Sequence, residues 1–188
     1  IAHMDVQLEI SMTILQIITP EEASGKTADL YQEIEGAFGR VPAVLQVYGS
    51  SPALLAQQWE GIQYYRHHPR LGAALLATIR MLISQANHCD YCVGFNEAML
   101  INHLGQSAEA VAATKRDPGS APLSDRDRAM LLLVLKAVKT PVLLTREDVE
   151  TVLTHGWTES DVLDAVVHGA RNQMADVIIN AFKVERDF

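Results

Sequence analysis

The chain has two cysteines, and they stand three residues apart in Asn87-His88-Cys89-Asp90-Tyr91-Cys92. The thiolate is the reactive form of cysteine, both as nucleophile and as metal ligand. A lone pair at this spacing therefore has three chemical readings: a redox couple that closes a disulfide, part of a metal site, or two small buried hydrophobes. Residues i and i+3 share a helix face, so the two sulfurs can meet after modest local adjustment. Asn87 is suited to cap a helix beginning at His88, with Asp90 at N3. Cys89 would then lie in the first turn, where unpaired backbone N–H groups and the helix dipole favour a thiolate. His88, four residues before Cys92, would reach that sulfur and share its proton, although a histidine in a first turn is more often simply solvated.

A structural zinc site needs four ligands. The sequence has no second CxxC and no HxxxH, and His103 lies too far along a continuous helix, about 16 Å beyond Cys92, to complete one. No metal and no cofactor is expected.

The remaining composition narrows the field. A formal charge of -8 with no Lys/Arg cluster excludes a nucleic-acid partner. With 188 residues, 48% hydrophobic and 20% charged, the chain is long enough for one core of ordinary globular type. No apolar run approaches the roughly 18 residues that a membrane span requires. Ile1-Ala2-His3-Met4 reads as a vector-derived scar ahead of Met4, residues 1–18 read as a tail, and no secretory segment follows. The expected location is the cytoplasm, where two cysteines do not make a structural disulfide framework.

Helix signals recur and strand signals hardly do. Thr19-Pro20-Glu21-Glu22 has the form of a capping box, followed by a stripe of Tyr31, Ile34 and Phe38 that ends at Gly39. Residues 40–51 read as a loop, and Ser51-Pro52 opens a second helix striped by Leu55, Trp59 and Ile62. From Pro69 to Ala86 the chain is apolar on nearly every face, with Arg80 and Ser84 as the main polar positions. Such a helix is buried on several sides. Residues 113–122, rich in charge, Gly and Pro, read as a hinge between two helical halves. Beyond it three caps follow, Ser124 with Asp127, Thr145 with Asp148, and Thr158 with Asp161. The last opens a helix whose stripe runs Val162, Ala165, Val166, Gly169, Asn172 and Gln173. The expected fold is all-α, a single bundle of about seven to eight helices over residues 19–188. His67 and His68 read as a helix end, His168 as a capped or interface histidine, and Trp59, Tyr64 and Tyr65 as core or interface aromatics.

The ordered set of segments carries a resemblance. A CxxC after a long apolar helix and opening another, Gly105 closing it, Val41-Pro42 and Ser51-Pro52 ahead of the core, and the stretch from Leu123 to Ile178 resemble the peroxidase-related members of the alkylhydroperoxidase D-like branch of the carboxymuconolactone decarboxylase superfamily. The resemblance implies a homo-oligomer (dimer, trimer or hexamer) in which the thiols cycle between dithiol and disulfide. The substrate would be a small-molecule hydroperoxide and the reductant a dithiol protein. It also implies a relay of a Glu twelve residues before the first Cys and a His four after the second. Here those positions hold Ala77 and Asn96. Asn96 can hydrogen-bond near the sulfur but cannot carry a proton at neutral pH. The candidate site is therefore Cys89, Cys92, His88 and Asn96, with Cys92 favoured slightly as the attacking thiol. Glu60, Glu97, His155 and His168 are further candidates for the missing base. Two other outcomes stay open, a redox-sensing or purely structural oligomer, and a lyase of the lactone-decarboxylating kind that does not need the thiols.

Overall fold

The computed structural model describes residues 13–188, so the reading of the opening residues as a scar and of the tail as far as residue 12 lies outside the described residues. Nine α-helices and no strand occur among the described residues. They are α1 (Gly25–Phe38), α2 (Ala43–Gln46), α3 (Pro52–Arg66), α4 (Ala73–Ala86), α5 (Asp90–Ala98), α6 (Ala108–Arg116), α7 (Asp125–Lys139), α8 (Arg146–Thr154) and α9 (Glu159–Phe182).

The nearly all-apolar α4 is the centre of the bundle, packed against α5, α7 and α9. Leu75, Ile79, Met81 and Ile83 on its several faces are all buried, as a helix without a polar side requires. The α4–α9 crossing is close because Gly169 has no side chain. A Cβ there would sit 2.8 Å from Val134 Cγ1 and 3.0 Å from Ile83 Cδ1.

Three C-terminal caps form as read: the side chains of Ser124, Thr145 and Thr158 accept the N–H of Asp127, Asp148 and Asp161. In the last two the Asp reciprocates, closing the capping box. Other expectations need correction. The Thr19 N–H does reach the Glu22 carboxylate, at 3.2 Å, but the chain makes only a turn there and α1 starts at Gly25. The helix expected from Pro69 starts at Ala73. The 40–51 segment holds the short α2, and the 113–122 segment is helical through Arg116, with Asp117 capping the Pro118–Ser120 turn.

The largest correction concerns the thiols. Asn87 does not open a helix at His88; it closes α4, its N–H bonded to Ile83 O at 3.0 Å. His88 then takes a left-handed conformation, φ 54°, and the chain re-enters a helix at Asp90 with Cys89 as N-cap. The helix does not stop at Ala98 but widens into a π-helical turn over Met99–His103, a local irregularity that often accompanies a functional site.

Candidate functional site

α4 and α5 meet at the turn that holds the thiols, and α9 packs against α4 beside it. Cys89 is fully buried and Cys92 nearly so, and both are free. The third group in this cluster is one that no local pattern names: Asp176, on α9 and wholly buried. A carboxylate oxygen of Asp176 and the two sulfurs all lie within 4.8 Å of one another.

Asp176 is held by donors on both oxygens. Ser84 Oγ donates to Oδ1 at 2.7 Å, and Asn87 Nδ2 donates to Oδ2 at 2.8 Å. Asn172 Nδ2 reaches Oδ2 at 3.2 Å and Ser84 Oγ at 2.9 Å. Three neutral donors thus replace the water that the buried carboxyl group has lost. The Asn87 side chain that seemed a helix cap is thus an orienting donor for Asp176.

The Cys92 thiol is pushed up from its ordinary value. The largest cause is the hydrogen bond with Cys89, followed by burial and by the hydrogen bond and negative charge of Asp176. The first-turn position expected to stabilise a thiolate at Cys89 is not formed, Cys89 being the N-cap of α5, and Cys92 rests as a thiol beside Cys89 and Asp176. A protonated thiol beside a carboxylate is the arrangement for deprotonation at the moment of attack. The same three donors are the described side chains that converge as metal ligands, though a closed tetrahedral site would need a fourth.

Cys92 also lines a cavity of about 600 Å³ enclosed by α2, α3, α4, α5 and α9. Its walls are largely apolar, including Leu45, Ile62, Tyr65, Leu76, Phe95 and Ile179. Cys92 lines this cavity and Cys89 does not.

The remaining sequence candidates separate clearly. Asn96 is buried on the cavity wall, its Nδ2 donating to Cys92 O at 2.8 Å and its Oδ1 accepting from Arg80 Nε at 2.8 Å. His88 is exposed and lies off the helix, so the i, i+4 reach to Cys92 does not exist. Glu60 and His155 are exposed, and Glu97 pairs with Lys115. His168 does line the cavity, in tilted contact with Tyr65 at 4.5 Å between ring centroids. Burial and the adjacent Arg80 charge hold it neutral, its pKa lowered to about 3. Arg80 completes this wall, with Nη1 3.3 Å from His168 Nε2 and Nη2 3.4 Å from Met99 Sδ.

No protein-family model matches the chain, and no curated protein sequence does. Solved structures do. An uncharacterized peroxidase-related protein from Ralstonia eutropha JMP134, described as an alkylhydroperoxidase AhpD core, superposes with a TM-score of 0.81 at 20% identity, over 94% of this chain and 93% of that one. A peroxidase-related protein from Silicibacter sp. TM1040 gives 0.80 at 20% identity with the same coverage. The protein has the AhpD-core fold.

A further relative in fold is the debrominase Bmp8, solved as a cysteine-to-alanine variant in complex with 2,3,4-tribromopyrrole. It matches with a TM-score of 0.73 at 16% identity, over 96% of this chain and 93% of that one. The AhpD-core fold thus accommodates a debrominase as well as peroxidase-related proteins. At the two positions where the resemblance implied a Glu and a His, Ala77 is buried on α4 and Asn96 is committed to Arg80 and to the α5 backbone. The acidic group beside the sulfurs comes instead from α9.

Proposed function

We propose that the protein is a thiol peroxidase of the alkylhydroperoxidase type, in which Cys92 attacks an organic hydroperoxide, Cys89 resolves the product and Asp176 is the base. The observation that carries this reading is the convergence of two free sulfurs and a buried carboxylate within 4.8 Å, with Cys92 alone of the two sulfurs on the cavity wall.

Asp176 accepts the Cys92 proton as the sulfur attacks the peroxide oxygen. The S–O bond forms, the O–O bond breaks, and the alcohol departs with the proton. Cys92 is left as the sulfenic acid, oxidised by two electrons. Cys89 then attacks the Cys92 sulfur, forming the disulfide and releasing water. A dithiol protein of the cytoplasm returns two electrons and two protons by exchange at the disulfide. No helix among the described residues is long and apolar enough to cross a membrane.

The active species is a homo-oligomer. The outward side of α9 presents Leu163, Val167, Ala170, Met174, Val177 and Ala181, all exposed. Their alternating spacing of four and three is the heptad seam through which helices of two copies pack.

Stopped-flow oxidation of the reduced protein by cumene hydroperoxide tests the chemistry. Cys92→Ser abolishes the fast phase, and Cys89→Ser stops after a single turnover at a sulfenic acid that dimedone traps. Oxidation no faster than that of a free thiol would point instead to a sensing or structural role. Turnover of a carboxylated lactone by the doubly substituted protein would point to the lyase chemistry.

A further inference from the structure

The cavity beside Cys92 has a charge pattern opposite to that of the protein. The chain carries 15 Lys and Arg against 23 Asp and Glu. Yet Arg66, Arg80 and Arg171 line the cavity, and no Asp or Glu does. Several cations elsewhere are paired, among them Arg40 with Asp187, Arg70 with Asp161, Lys115 with Glu97 and Lys136 with Asp148. Among the described residues none of the three cavity arginines joins an ion pair.

Arg80 is the innermost of the three by its partners. Arg66 stacks over Phe38 at 4.8 Å, and Arg171 is held by Gln57 O and Gln58 Oε1 at 3.3 and 3.1 Å. Arg80 projects from the central helix and meets neutral groups, donating to Asn96 Oδ1 and Met99 Sδ, with His168 Nε2 3.3 Å from its Nη1. Burial lowers its pKa to about 10, which leaves it charged at neutral pH. A guanidinium partly buried on a largely apolar cavity wall and without a counter-ion is incompletely compensated, so a ligand anion arriving there supplies the charge that the fold leaves unmet.

We infer that Arg80 is the anion subsite of the cavity and that the substrate is an apolar organic hydroperoxide bearing a carboxylate, its carboxylate on Arg80 and its body along the Leu45, Ile62 and Phe95 wall. This deepens the peroxidase reading and rests on it for the hydroperoxide group, but the anion preference itself needs no thiol chemistry. Arg80 and Asn96 form one hydrogen-bonded pair, and Asn96 in turn holds Cys92 O, so a carboxylate on Arg80 is set on the same wall as the attacking sulfur. Arg66 and Arg171 supply attraction on the way in.

Calorimetric binding of 4-tert-butylbenzoate and its neutral isostere 4-tert-butylbenzamide to the reduced full chain separates the possibilities. The benzoate is expected to bind about tenfold or more tightly than the amide. Arg80→Gln is expected to bring the two together while leaving amide binding in place, which also shows that the cavity has kept its shape. Arg80→Lys is expected to retain the preference. Equal affinities in the unaltered protein, a preference that survives Arg80→Gln, or no binding of either at millimolar concentration overturns the inference; the first and third need no variant to fold. The peroxidase reading fails separately: fast oxidation by neutral cumene hydroperoxide without anion preference sinks the subsite alone, and anion preference without fast oxidation sinks the peroxidase alone.

Discussion

Asp176 and Cys92 stand on different helices, α9 and α5, yet a carboxylate oxygen of one and the sulfur of the other lie within 4.8 Å in the interior of the bundle. The hydrogen bond with Cys89 and burial raise the Cys92 thiol pKa most, and the carboxylate adds to the rise through its own hydrogen bond and its charge. Ground-state Cys92 thiolate is therefore scarce, and the proposed chemistry asks Asp176 to take the proton as the sulfur attacks.

Two opposite effects of Asp176→Asn follow. Removing the charge lowers the Cys92 pKa, while removing the base slows reaction with hydroperoxide by about 10²- to 10⁴-fold at neutral pH. A thiol titration combined with stopped-flow oxidation reads both. A variant that gains thiolate and also gains rate would exclude Asp176 as the base.

His168 gives the chain a dependence on acid. Its folded pKa is lowered from 6.5 to about 3, so below pH 6.5 the unfolded chain binds a proton that the folded chain refuses. Its contribution to stability is present above that range and falls as the pH drops from 6.5, by about 1.4 kcal/mol per unit. Urea midpoints measured between neutral pH and about pH 4 should fall less steeply in His168→Gln than in the unaltered protein. Equal slopes would mean that the imidazole is protonated in place.

Gly169→Ala places a methyl group 2.8 Å from Val134 Cγ1 and 3.0 Å from both Ile83 Cδ1 and Val138 Cγ2. Three branched side chains on two helices would have to retreat together. The expected cost is about 1–3 kcal/mol, read as a lower denaturant midpoint at unchanged slope.

Met174→Glu puts a charge in the centre of the α9 seam. Light scattering coupled to gel filtration should show a smaller assembly than that of the unaltered protein, with helicity retained. An unchanged mass would move the subunit contact elsewhere on the surface.

What the sequence made legible was what neighbours along the chain decide. The Thr145 and Thr158 caps need only residues three apart, and they form. Arg80 and Ser84 stand out as polar positions on an apolar helix, and both prove to serve the site, one at Asn96 and one at Asp176. Asn87 misled because a cap is a contest among partners: its amide goes to Asp176, a residue remote in sequence, and α4 keeps its backbone. Asp176 itself was within reach, four residues after Asn172 on the buried stripe that runs Val162, Ala165, Gly169, Asn172, Asp176 and Ile179. A carboxylate on such a stripe is the signal. The stripe as read ended instead on Gln173, which is exposed.

The carboxylate of Asp187 gathers Arg40 Nη1, the N–H of Ala43 at the head of α2, and the hydroxyl of Tyr91 on α5, at 2.7, 2.7 and 2.8 Å. Phe188 beside it packs edge-on against Tyr91 and Phe95. One pin thus fastens two sides of the chamber from outside, without touching either sulfur. Trimming those two residues would leave Cys89, Cys92 and Asp176 in place and loosen α2 against α5, so that the range of ligand sizes bound in the chamber would widen while the thiol titration stayed the same.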